Sequence, residues 1–244
     1  MTIGITKTVR ELAVEIPNAT RVFEEFGIDY CCGGKRSLSE ACSAAKLPLE
    51  EVTRALSAAA KDSGSADGHL QSGSLAELID HIVKAHHKFT REESARLKKL
   101  LDKVCSVHGK NHPELLAIRE TFAGLEQELM LHLMKEENVL FPYIVRTEQA
   151  KFQNDPALPA PFGTVQNPIR MMMQEHDGAG EALREMRQAS GDFTPPADAC
   201  ISYQTLYQAL AGFEADLHQH IHLENNILFP RAIEMEERTT AAVR

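Results

Sequence analysis

The feature that most constrains this chain is a short element that occurs twice. His132-Leu-Met-Lys-Glu136-Glu-Asn-Val-Leu-Phe-Pro142 returns as His220-Ile-His-Leu-Glu224-Asn-Asn-Ile-Leu-Phe-Pro230, so H-x-x-x-E-x-N-x-L-F-P is written two times in 244 residues. A histidine and a carboxylate at i and i+4 lie one above the other on the same face of a helix, so each pair can reach toward one site. A further histidine precedes each pair at nearly the same interval, His87 by 45 residues before His132 and His176 by 44 before His220. Each half of the region thus contributes a histidine and then an H-x-x-x-E pair.

Helix start signals place these residues on four long helices. Ser74 with Glu77 opens the first, Pro113 stands at the first turn of the second, Asn167-Pro168 opens the third, and Pro195-Pro196-Ala197-Asp198 precedes the fourth. Loops expected around Val107 to His112, Asn154 to Gln166 and Ser190 to Pro196 are short enough for an up-down-up-down bundle. His87 lies 12 residues after Leu75, and His132 lies 12 residues before Ile144. At about 1.5 Å per residue both are roughly 18 Å from the same end of an antiparallel pair. His176 and His220 fall at comparable levels, so four imidazoles and two carboxylates can converge on the bundle axis.

Ahead of the bundle, Asp62 to Ser74 (DSGSADGHLQSGS) has no hydrophobic period and reads as a linker. The expected organisation is therefore a small helical domain over residues 1–61, a linker over 62–74, and the bundle over 75–244. In the first segment Thr8 with Glu11 and Ser37 with Glu40 have capping-box spacing, and Gly27 and Pro48 punctuate three or four short helices. Aromatic residues are scarce, with no Trp and four Tyr, which also favours an all-α chain.

Four histidines and two glutamates are too many ligands for one tetrahedral zinc and suit two metals bridged by carboxylates. Imidazole with carboxylate favours iron, with manganese or zinc as substitutes. The Glu-x-x-His signature of ferritin-like sites is absent. The candidate ligands are His87, His132, Glu136, His176, His220 and Glu224, with His86 the nearest competitor for the first position. Glu128 and Glu175 lie close enough in sequence to be hydrogen-bond partners of the ligand imidazoles.

The net charge of −9 and the lack of a basic stripe argue against nucleic-acid binding. No apolar run is long enough to cross a bilayer, and Glu11 and Glu15 interrupt the start where a signal peptide needs apolar residues. A cytoplasmic protein is expected. Its five scattered cysteines fit reduced thiols rather than a disulfide framework, with Cys42, Cys105 and Cys200 expected in helix packing.

The remaining motif, Asp29-Tyr-Cys31-Cys32-Gly-Gly34, sits in the middle of the small domain. Together with the two H-x-x-x-E-x-N-x-L-F-P elements it makes the chain, from about Thr8 to Ala232, resemble the iron-sulfur cluster repair di-iron proteins, which join a short D-Y-C-C-G-G domain to a hemerythrin-like domain. The resemblance implies a cytoplasmic, often dimeric protein of the response to nitrosative and oxidative stress. It implies two irons with carboxylate and oxo bridges, held by the six residues above, and damaged iron-sulfur proteins as clients. Oxygen-carrying hemerythrins usually use five histidines, so a set of four points away from oxygen carriage. Cys31 and Cys32 become candidate redox or iron-transfer thiols, because the glycines after them leave an accessible backbone and Lys35 and Arg36 are positioned to favour a thiolate. Two other readings stay open: an enzyme that reduces nitric oxide at the two irons, and a module that senses or stores a diatomic gas.

Overall fold

The structure, a computed structural model, describes residues 3–16, 18–60, 72–153, 155 and 160–241. The described residues form an all-α fold whose larger part is a hemerythrin-like four-helix bundle. Among them no helix is long and apolar enough to cross a membrane. The expected linker lies, as far as Gln71, outside the described residues, as do Asn154 and residues 156–159 of the expected loop before the third bundle helix.

The N-terminal segment holds α1 (Val9–Glu15), α2 (Ala19–Glu25), α3 (Leu38–Ala44) and α4 (Leu49–Ala59). Both capping boxes form: Glu11 N–H donates to Thr8 Oγ1 at 3.2 Å while Thr8 N–H donates to Glu11 at 2.7 Å, and Ser37 with Glu40 repeats the pattern. Thr8 and Ser37 also form an antiparallel bridge, so the two helix starts are tied to each other. Val9, Leu12, Phe23, Leu38, Val52 and Leu56 are buried beneath them.

The bundle helices are interrupted. Its first helix runs as α5 (Leu75–His81), a π-helical stretch π1 (Ile82–His87) and α6 (Lys88–His108). The second is α7 (Glu114–Lys135), π2 (Glu136–Leu140) and α8 (Phe141–Gln153). The third is the uninterrupted α9 (Gln166–Ala189), and the fourth is α10 (Ile201–His222), π3 (Leu223–Leu228) and α11 (Phe229–Ala241). Ser74 and Glu77 exchange the expected cap bonds at 3.0 and 3.1 Å. A second carboxylate, Glu148, accepts the Leu75 and Ala76 N–H groups at 2.7 and 2.9 Å, where the helix dipole favours negative charge.

By packing, the chain divides into two compact units, one of Met1–Asp80, Ile144–Ala160 and His218–Arg244, the other of His81–Tyr143 and Pro161–Leu217. In the second unit α7 packs against both α6 and α9. Its core includes Leu97, Ile118, Leu125, Ile169, Leu183 and Leu210, with the Phe122 and Phe213 rings edge to face at 5.7 Å. In the first unit α1 packs against π3.

Candidate metal centre

The repeated element accounts for the π-helical stretches π2 and π3. Proline six residues after each glutamate has no N–H to continue the helix, and the turn before it widens: Phe141 N–H donates to Glu136 O and Phe229 N–H to Glu224 O, each five residues back. Asn138 supplies a side-chain donor to the Met134 carbonyl at 2.7 Å. The widened turns begin at Glu136, contain Glu224 and, in π1, end at His87. Sequence periodicity does not reveal these turns; the recurring E-x-N-x-L-F-P marks π2 and π3, and nothing comparable marks π1.

All six candidate ligands are buried, none more than 2% exposed. In the second unit they meet on Glu136. Its Oε2 lies 3.5 Å from His87 Nε2 and its Oε1 lies 3.4 Å from His132 Nε2, so one carboxylate presents a separate oxygen to each imidazole. His176 Nε2 stands 3.0 Å from His132 Nε2. Two donors about 2.1 Å from one metal and at right angles are about 3.0 Å apart, so this spacing suits neighbouring positions on an octahedral ion. In the first unit His220 Nε2 lies 3.1 Å from Glu224 Oε1.

The outer ring nitrogens fix which inner nitrogen can bind. His87 Nδ1 is 2.7 Å from Glu137 Oε1, and His132 Nδ1 is 2.8 Å from Glu175 Oε2. A carboxylate that takes the Nδ1 proton leaves the Nε2 lone pair facing inward. Burial alone would raise the Glu137 carboxyl, yet bonds from Arg91 and His87 outweigh it and hold it below the ordinary value. Burial likewise opposes, and Lys135 and His132 overcome it at, Glu175. Glu175 thus stands beside the imidazole of His132, a candidate ligand. Glu128 is exposed and, among the described residues, makes no hydrogen bond to one. The matching partner is Glu137, which sequence reasoning passed over because an acidic residue beside an acidic ligand looks like a solvated face. His86 turns to Asp216, 3.0 Å away, and leaves the inward position to His87.

The two copies of the repeat diverge just after the glutamate. Where the first has Glu137, the second has Asn225, whose amide donates to the Cys31 carbonyl at 3.4 Å. Asn226 donates to the Tyr30 carbonyl at 3.0 Å and contacts His222 Nδ1 at 2.8 Å. His222 is buried against Tyr30, ring centroids 5.4 Å apart; burial first and Arg10 second pull it down to about 4, so it is neutral. The second repeat therefore seats the cysteine loop.

Two expectations about the cysteines change. The Cys31 thiol is pushed well up by its bond with Cys32, by burial and by Asp29, an effect opposite to the one expected from Lys35 and Arg36. Cys42 and Cys105 are buried in helix packing, but Cys200 is exposed just ahead of α10, with His108 Nε2 3.1 Å away.

Residues 78–232 match the model of the hemerythrin HHE cation binding domain, and residues 5–60 match a domain of unknown function, DUF542. A Haemophilus influenzae protein named as a probable iron-sulfur cluster repair protein is 39% identical over 91% of this chain and 95% of its own length. The iron-sulfur cluster repair proteins YtfE of Citrobacter koseri and Escherichia coli are each 35% identical over 91% of this chain and 94% of their own.

Proposed function

From the premise that this chain belongs to the hemerythrin HHE family and to the iron-sulfur cluster repair proteins within it, we propose that it restores damaged iron-sulfur clusters by giving up iron from a centre of two metals. The observation that carries the reading is Glu136, a buried carboxylate with one oxygen toward His87 and the other toward His132. Such a carboxylate is placed to bridge two ions, and burying its charge calls for positive charge beside it. By the symmetry of the repeat each half would give two histidines and one bridging glutamate, His87, His132 and Glu136 from the first and His176, His220 and Glu224 from the second.

The donors fit iron. Imidazole and carboxylate without thiolate suit a metal of intermediate softness, and the 3.0 Å spacing of His132 and His176 suits six-coordination. Bound there with carboxylate and oxo bridges, iron would supply a store of exchangeable metal and an affinity for nitric oxide or oxygen species. The protein's own part is to keep the donors ready: Glu137 and Glu175 hold His87 and His132 with Nε2 inward, and burial keeps bulk water from competing. Four histidines occupy fewer coordination positions than five, which favours release of an ion over its permanent retention. We place the ligand set wholly within residues 75–244, the thiols within 1–61, and the protein in the cytoplasm, as a homodimer acting on clusters damaged by nitric oxide or oxidants.

The test is anaerobic transfer. Iron-loaded protein is mixed with a client whose cluster has been damaged, and iron per chain and client activity are followed together. Restored activity in step with iron lost is the expected result. Catalytic consumption of nitric oxide on electron supply, with no iron lost, would replace repair by a reductase; reversible gas binding alone would replace it by a sensor.

A further inference from the structure

Asp29, Cys31 and Cys32 form a second group of metal-binding side chains, their donor atoms all within 4.8 Å of one another. The loop that carries them is tightly specified. Asp29 Oδ1 accepts the N–H groups of Cys31 and Cys32 at 3.2 and 3.0 Å, which turns both side chains toward the carboxylate. A Cβ on Gly34 would come within 2.7 Å of the Tyr30 carbonyl, and one on Gly33 would stand 3.0 Å from Asp29 Oδ2. The glycine pair thus permits the turn and keeps side-chain bulk off the carboxylate. From below, Asn225 and Asn226 hold the carbonyls of Cys31 and Tyr30, directly after Glu224 in the chain.

The spacing of the donors is informative. The two sulfurs are 3.7 Å apart, far beyond the about 2.05 Å of a disulfide. Two thiolates about 2.3 Å from a tetrahedral ion are about 3.8 Å apart, and a thiolate and a carboxylate on such an ion about 3.5 Å. Cys31 Sγ lies 3.5 Å from Asp29 Oδ1. Both measured edges therefore match a tetrahedron, in contrast to the shorter octahedral edge between His132 and His176.

We infer that Asp29, Cys31 and Cys32 are three ligands of a mononuclear, tetrahedral divalent-metal site whose fourth position takes a donor from another molecule. Binding is not a redox step: the metal keeps its charge, two metal–sulfur bonds and one metal–oxygen bond form, and the two thiol protons pass to solvent. Proton release makes the affinity rise with pH. Resting on the repair reading, the ion is ferrous iron in passage from the bundle to an acceptor, and the fourth donor is a cysteine of the client.

Cobalt(II) is the probe. The full chain, its bundle first loaded with iron, is titrated anaerobically. The expected result is one cobalt per chain with a thiolate-to-metal charge-transfer band and the strong visible absorption of a tetrahedral ion. Cys32→Ser removes one of two thiolates and should cut the charge-transfer intensity by about half. Asp29→Asn keeps an acceptor for the two loop N–H groups but loses the charge, and should weaken cobalt binding about tenfold or more. Helical circular dichroism and bundle iron should not change in either variant. No thiolate band in the native chain, or a band and affinity indifferent to Asp29→Asn, would overturn the site. If cobalt binds at the thiols as expected but iron-loaded protein fails to reactivate a client, the site stands and the repair reading falls.

Discussion

A metal-binding histidine commonly has its other ring nitrogen engaged, and carboxylates engage Nδ1 of the proposed ligands His87 and His132. Each carboxylate is in turn held by a cation, Glu137 by Arg91 and Glu175 by Lys135, so three residues in line set one lone pair. Glu175→Gln should therefore lower iron affinity about 10–100-fold while leaving the helices intact, whereas Glu128→Gln at its exposed site should change nothing. Competition with a chelator measures both, and equal affinities for the two variants would remove Glu175 from the centre. The six proposed ligands stand out in the sequence because they repeat at matched intervals, and the structure buries all six. Glu137 and Asn225 do not stand out: they occupy the position where the two copies differ, and Asn226, although it repeats Asn138, carries no sign in the sequence that its partner is the Tyr30 carbonyl. Asp29 stands out in the sequence only as part of a motif, since nothing there shows that one of its oxygens accepts two N–H groups and faces a thiol.

At the scale of elements, periodicity and start signals located the helices well, and the capping boxes at Thr8, Ser37 and Ser74 formed as spaced. The π-helical turns stayed hidden because a single widened turn shifts register without changing composition. They shift the register of the residues after the turn, while Glu137, at the start of π2, lies 2.7 Å from His87 on another helix. The start of α7 offers a separate test. His112 lies between Asp198 at 3.1 Å and Glu114 at 2.9 Å, and these bonds, Asp198 first, raise its basicity. A histidine raised in the folded state adds stability that is complete below its ordinary value near 6.5 and is lost as pH rises through the raised one. The melting temperature of native protein should exceed that of His112→Gln at about pH 6, and the gap should close by about pH 9. A gap independent of pH would mean that His112 acts by packing alone.

At the scale of the whole molecule, the sequence suggested a boundary at residues 62–74, and the family models match on either side of it, at 5–60 and 78–232. Packing gathers the small module with Ile144–Ala160 and His218–Arg244, because Asn225, Asn226 and His222 are buried against the Tyr30-Cys31 backbone and ring. Such long-range polar contacts leave no periodic mark in a sequence. The central claim is that carboxylates from both halves of the repeat share two irons. It is tested most directly by iron per chain in native protein, Glu136→Ala and Glu224→Ala, each reconstituted anaerobically and checked for unchanged helix content. The account predicts close to two irons in the native chain, and in either variant a fall to one or fewer with loss of magnetic coupling between the ions. One iron or a single tetrahedral zinc in the native chain, or two coupled irons that persist without either glutamate, would contradict it.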